Sequence, residues 1–313
     1  MPNSSTASRS EPSACPNCLR RGQLLAALAP YLERAAADGD VSNDLGLSGE
    51  RLAAIAAPGP AERLLSENAE LGERDLRSSL AASDCWATCP HDDLFPAALL
   101  DDACHPWAIY GRGDPRQLAR RRSELVAIVG ARRATSYGRE VARELGRELS
   151  EAGLTVISGM AFGIDACAHR GALDSGDTIA VLGCGPNVAY PATHRSLWRR
   201  IQESGAVISE LPPGTGAWRW AFPARNRIIA AMAEATIVVE AAARSGSLST
   251  ADSALRVGRI VGAVPGPINS PTSVGTNALI AKGALVVRGA VDVVERLRDD
   301  SWAEPPSPKG AGG

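Results

Sequence analysis

Four short stretches of this 313-residue sequence carry residue types suited to holding phosphate. Residues 158–165 read SGMAFGID, where an expected strand at 154–157 gives way to a helix. Gly159, Ala161 and Gly163 there leave backbone N–H groups uncovered at a helix N-terminus, whose dipole favours an anion. One strand earlier, an apolar run at 125–129 ends in Gly130-Ala131-Arg132. A dinucleotide fingerprint, G-x-G-x-x-G, would place its second glycine where Arg132 stands, so the stretch argues against a dinucleotide and for a phosphate chain clamped by a guanidinium. A third seat is Ser245-Gly246-Ser247 with Thr250, opening a helix after the fifth strand of the series. Several such seats on one edge suit a polymer of phosphates better than a single nucleotide.

The fourth stretch, FPARNRIIA at 222–230, is the most informative. Arg225 and Arg227 flank Asn226 in the first turns of a helix, an unfavourable place for cations unless an anion is also there. The alternative is that one arginine pairs with an internal carboxylate such as Asp165, Glu210 or Glu240. Just upstream, Trp218, Trp220 and Phe222 alternate with Arg219. These rings either stack on unpaired bases, at about 1 to 3 kcal/mol each, or anchor their loop to the domain.

Catalytic machinery is sparse. His169 falls four residues after Asp165 on an expected helix, within reach of a hydrogen bond, but no nucleophile or ligand set accompanies it, and an oriented structural histidine is expected. Glu210 and Glu240 lie at strand ends and could hold Mg²⁺ for hydrolysis, with pairing to arginine as the default. No catalytic residue, cofactor or metal site is assigned. The only lysines are Lys282 and Lys309, so no Walker A motif exists and a P-loop ATPase is excluded.

Of the seven cysteines, Cys15-x-x-Cys18 and Cys85-x-x-x-Cys89, with His91, Cys104 and His105 nearby, could supply zinc ligands; incidental or packed thiols are the default expectation. Net charge is −2, so nucleic-acid binding would have to come from a local patch. The polar start lacks the regions of a signal peptide and no apolar run reaches membrane-spanning length, which gives the expectation of a cytoplasmic protein without a membrane partner.

The elements that must position these residues follow from periodicity. Residues 1–20 read as a flexible leader, 21–84 as a small helical domain punctuated at Asp38-Gly39-Asp40 and Pro58-Gly59-Pro60, and 299–313 as a disordered tail. Residues 85–124 form a strand-and-turn annex with a short strand candidate at 107–110. From 125 to 297, strands at 125–129, 154–157, 178–182, 206–209, 236–239, 260–264 and 284–287 alternate with helices such as 137–150 and 164–173. This is an α/β pattern: a Rossmann-like, mostly parallel, doubly wound sheet, whose ligands bind at the carboxyl ends of the strands.

Taken together, GARRATSYG (130–138), SGMAFGIDACAHRGAL (158–173), AVLGCG (180–185), FPARNRIIA (222–230), VVEAAARSGSLSTA (238–251) and GTNALIAKGA (275–284) resemble the DNA-processing protein A family, DprA or Smf. The resemblance is colinear from about residue 94 to 297, and the helical part resembles the family's SAM-like domain loosely. It implies a non-enzymatic protein that binds single-stranded DNA, forms homodimers and loads the RecA recombinase in natural transformation, competence and recombination. On the matching motifs, Arg132, Ser158, Gly159, Gly163, Arg225, Asn226, Arg227, Gly246, Ser247 and Thr250 would line the strand-binding pocket. Two departures stand out: Ala231-Met232-Ala233 replaces the family's usual G-L-S, and His194 replaces a common asparagine. Many members also carry a C-terminal winged helix, for which the sequence leaves no room. The competing readings are a nucleoside-monophosphate phosphoribohydrolase, whose P-G-G-x-G-T motif is missing, and a Mg²⁺-dependent nuclease using Asp165, Glu210 and Glu240.

Overall fold

A computed structural model describes residues 12–37 and 39–299. Most of the expected leader (1–11), Asp38 of the expected turn, and the tail from 300 onward lie outside the described residues.

The described residues begin with four α-helices, α1 (Pro16–Ala35), α2 (Gly49–Ala56), α3 (Ala61–Ala69) and α4 (Glu73–Ala82). Pro16 opens α1 at a position where its missing N–H costs nothing. The helix therefore starts inside the stretch expected to be leader, and Ala14 N already donates to Ala87 O at 2.9 Å. Leu24, Leu25, Leu28 and Leu32 form the buried stripe against which Leu52 and Leu64 pack.

Next come β1 (Trp86–Thr88), β2 (Ile109–Gly113), β3 (Leu125–Val129), α5 (Ser136–Glu151), β4 (Thr155–Ser158), α6 (Ile164–Ala172) and β5 (Thr178–Val181). They are followed by α7 (Arg195–Ser204), β6 (Ala206–Ser209), α8 (Ala221–Met232), β7 (Ala235–Val238), α9 (Gly246–Arg256), β8 (Ile260–Ala263), α10 (Val274–Ala281), β9 (Leu285–Val286) and α11 (Ala290–Arg298). The strands form one nine-stranded sheet in the order β1-β2-β6-β5-β4-β3-β7-β8-β9. Every pair from β6 to β9 is parallel, while β1 and β2 run antiparallel along one edge. The annex thus extends the main sheet, through a β1 too short to show periodicity.

All five residues of β3 are buried, alternating between two cores. Ala127 and Val129 face a layer containing Ile228, Ile229, Ala251 and Leu279, whereas Val126 and Ile128 face Ala142, Leu145, Ile164 and Val293. Burial on both faces is what a parallel strand requires. The chain winds outward from β3 through β4 and β5 to β6, then returns to place β7 on the other side of β3. That reversal opens a crevice beyond the carboxyl ends of β3 and β7.

Candidate nucleic-acid interface

The crevice holds a cleft of about 530 Å³. One wall is the turn after β3, from Gly130 to Arg133; the other is the loop after β7, with Arg244 to Ser247 at the start of α9; the floor is the first turns of α8. Of the sequence-derived candidates, Gly130, Arg132, Phe222, Arg225, Asn226, Ser245, Gly246, Ser247 and Thr250 all line it. Ser245 caps α9 by accepting from Ser247 N, and Asn226 Nδ2 donates to Gly246 O (3.3 Å) and Ser249 Oγ (3.1 Å), locking α8 to the mouth of α9.

Arg225 is buried beneath this surface. Its Nη1 donates to Gly159 O at 2.6 Å and also to Val181 O, its Nε donates to Asn226 Oδ1 at 3.0 Å, and its Nη2 lies 3.9 Å from Asp165 Oδ2. Burial pulls the arginine down from its ordinary value, opposed by the Asp165 charge, and pushes the Asp165 carboxyl up, opposed by Arg225. Both groups are desolvated and their ion pair is long, so the guanidinium is held mainly by its three hydrogen bonds. Gly159 is required because a Cβ there would stand 2.2 Å from the guanidinium. Gly163, the N-cap of α6, has φ 78°, and a Cβ would meet Ala131 O at 2.2 Å. It holds the two phosphate-type turns together and does not line the cleft.

Arg227 does not reach the cleft either. Its Nη2 bonds Glu210 Oε1 at 2.7 Å, both groups are buried, and the internal-carboxylate alternative describes it. Ser158 is wholly buried and donates to Ile128 O at 2.6 Å, tying β4 to β3. Glu240 accepts from Thr135 N (2.9 Å) and Thr135 Oγ1 (2.5 Å), orienting the start of α5. His169 Nδ1 pairs with Thr178 Oγ1 at 2.8 Å instead of with Asp165, and burial with the neighbouring Arg225 charge pulls it down to about 3, so it is neutral at physiological pH. Asp165, Glu210 and Glu240 are thus engaged by three separate structural networks.

The tryptophans behave as anchors. Trp220 is 2% exposed, donates Nε1–H to Ala29 O of α1 at 3.2 Å, and packs with Leu211, Ala221 and Ala224 on the helical domain; Trp218 is partly buried against the same cluster. Trp220, so buried, can offer no face to a base. Phe222 can, and it belongs to a second, smaller recess beside the cleft, rimmed by Phe162 and Tyr190, which are 48% and 43% exposed. Tyr190 and Phe222 lie 5.3 Å apart, and Arg132 sits over the Phe222 ring at 5.3 Å.

Residue-by-residue reading missed Phe162, Tyr190, Arg133 and Arg244. The last two were legible as basic neighbours of Arg132 and of the Ser245 cap; the aromatics stand apart in sequence and gave no cluster. Arg132, Arg133 and Arg244 are exposed and make no ion pair among the described residues.

Comparison with known proteins agrees with this architecture. Residues 86–298 match the family model of DNA recombination-mediator protein A. The chain is similar to the putative DNA processing protein DprA of Mycobacterium tuberculosis, 46% identical over 191 residues, covering 61% of this chain and 49% of the relative. It is also similar to protein Smf of Escherichia coli, 39% identical over 231 residues, covering 71% and 61%. The chain thus spans about half to three fifths of the length of these relatives. Among solved structures, DNA processing protein A of Streptococcus pneumoniae superposes with a TM-score of 0.71 at 30% identity, over 89% of this chain and 95% of that one. The Helicobacter pylori protein, described for its single-stranded DNA binding mode, superposes with a TM-score of 0.60 at 30% identity, over 65% and 92%. With this cleft, this sheet order and a match over most of its length, the chain belongs to the DNA recombination-mediator protein A family.

Proposed function

We propose that this chain binds single-stranded DNA without sequence preference, phosphates along the cleft and bases on the Phe162, Tyr190 and Phe222 rings, and passes the strand to the RecA recombinase in the cytoplasm. In this reading it acts as a homodimer in DNA uptake and recombination and is not an enzyme. The observation that carries it is the gathering of Arg132, Arg133 and Arg244, free of ion pairs among the described residues, around the N-terminus of α9 in a protein of net charge −2. A patch of exposed guanidiniums whose one neighbouring carboxylate, Asp165, is buried has an anionic partner as its simplest use, and exposed rings beside it fit unpaired bases. The relatives' names as DNA processing proteins and the single-stranded DNA binding described for the H. pylori protein support the same reading.

The test is fluorescence anisotropy of labelled oligo-dT over a salt series, with duplex competitor. Single-strand-preferring affinity should fall with salt at a slope of about −0.7 per phosphate contacted. Replacing Phe162 and Tyr190 with alanine should weaken binding by about 1 to 3 kcal/mol per lost stack while leaving the salt slope unchanged. Arg225 and Arg227, being buried, are poor probes because their loss would disturb the fold. Absence of binding at low salt by folded protein, or release of a base or cleavage of the strand in Mg²⁺, would sink the proposal. RecA transfer is read separately, by recombinase filament formation on strands coated with single-strand-binding protein.

A further inference from the structure

Away from the cleft, four side chains converge where the helical domain meets the sheet edge. Cys15 is the N-cap of α1 and Cys18 lies in its first turn, while Cys89 and His91 follow directly after β1. The three sulfurs stand 3.6, 3.7 and 3.6 Å from one atom, His91 Nδ1, and all four candidate ligand atoms lie within 4.8 Å of one another.

Hydrogen bonding does not account for this. A neutral imidazole nitrogen has one lone pair and accepts one thiol proton well, not three. A tetrahedral ion does account for it. With Zn–S near 2.3 Å and Zn–N near 2.0 Å, the S···N edges of a Cys₃His tetrahedron are about 3.6 Å. Two further features fit an anionic metal centre. Cys15 N donates to Cys89 Sγ at 3.3 Å, the kind of N–H···S bond that steadies a thiolate ligand. Arg21, one turn beyond Cys18, is 8% exposed, lines the same cavity as Cys15, Cys18 and His91, and leaves Nη1 without a partner among the described residues. Three thiolates and one dication carry a net charge of −1, which that buried guanidinium would balance.

We propose that Cys15, Cys18, Cys89 and His91 form a structural zinc site that fastens the start of α1 to β1. Three thiol protons are released to solvent as the ion binds. The four protein ligands close the coordination sphere, so the site has a folding role and no open position for catalysis. The ligand set differs from the one suggested by spacing alone: Cys85 donates to Ser83 O and Cys104 to Asn43 O, both away from the cluster, and His91 takes the fourth position.

The full chain, purified without chelator or histidine tag, should carry close to one zinc per molecule by mass spectrometric metal analysis. Replacement by Co²⁺ should give the absorption of a tetrahedral thiolate centre. His91→Ala, at an exposed position that packing does not need, and Cys89→Ser should each lose the ion, whereas Cys85→Ser and Cys104→Ser should keep it. Chelation should lower the thermal midpoint of the wild type and not that of His91→Ala, and added zinc should restore it. Metal well below stoichiometry with no thiolate signature for cobalt, or equal metal in Cys85→Ser and His91→Ala, overturns the assignment.

Discussion

The two ends of the sheet use arginine in opposite ways. At the end where the parallel strands begin, arginines meet carboxylates: Arg122 bonds Glu234 at 2.6 Å, Arg259 bonds Asp101 at 2.6 Å, and Arg120 bonds Asp177 at 2.5 Å. Asp177 is further held by Gln117 and Thr155. At the end where the strands finish, Arg132, Arg133 and Arg244 face a cleft whose one carboxylate, Asp165, is buried. A net charge of −2 averages over this polarity and conceals it. Fields that matter to a polyanion are local, and the informative quantity is which charges lack partners.

The largest effect that could blur this contrast is at Arg227, which sits on α8 beside the cleft helix turn but is wired like the opposite end. Arg227→Ala should cost about 3 to 5 kcal/mol of stability by stranding buried Glu210, with DNA affinity per folded molecule unchanged; denaturant unfolding and a binding titration together check it. Next, Arg132→Glu with Arg244→Glu should raise the dissociation constant for single strands on the order of 100-fold at low salt and flatten the salt slope, while the thermal midpoint stays within about 2 °C, as expected of exposed unpaired side chains. A drop in stability with unaltered binding would reverse the assignment of the two ends.

A neutral titratable group is buried against the start of β5. His169, held near 3 against an ordinary 6.5, makes the unfolded chain bind one more proton across that interval. Stability from this group is complete above about pH 6.5 and falls as pH drops toward 3, by up to about 1.4 kcal/mol per pH unit. His169→Asn should shallow that acid limb in pH-dependent unfolding. The smallest effect is expected at the strand-start end: Arg120→Ala, removing a half-exposed ion pair, should cost about 1 kcal/mol or less and leave DNA binding alone.

The parallel core was legible because strands buried on both faces read as continuous apolar runs: β3 and β6 fall on the expected residues, and β4, β5, β7, β8 and β9 within two. The turns after β3 and β7 were legible through their small residues and caps. What sequence did not show was direction. Arg225 and Arg227 are two residues apart on one helix, and periodicity gives no sign that one guanidinium reaches Gly159 O and the other Glu210. Whether Trp220 stacks or anchors stayed open in the sequence because its partner, Ala29 O, comes from a helix 191 residues earlier. The convergence of Cys15 and Cys18 with His91 is long-range in the same sense.

The seating of Trp220 has a practical bearing on how the protein can be cut. Residues 86–298, the span that the family model matches, look like a natural fragment to express. Yet Trp220 is the residue from which α8 departs, and its cover, with that of Leu211, Ala221 and Ala224, is supplied by Leu25, Leu28, Ala29 and Leu32. Excision would bare that greasy seam at the root of the helix that floors the cleft. The limit of the family model and the limit of the folding unit fall at different places in this chain.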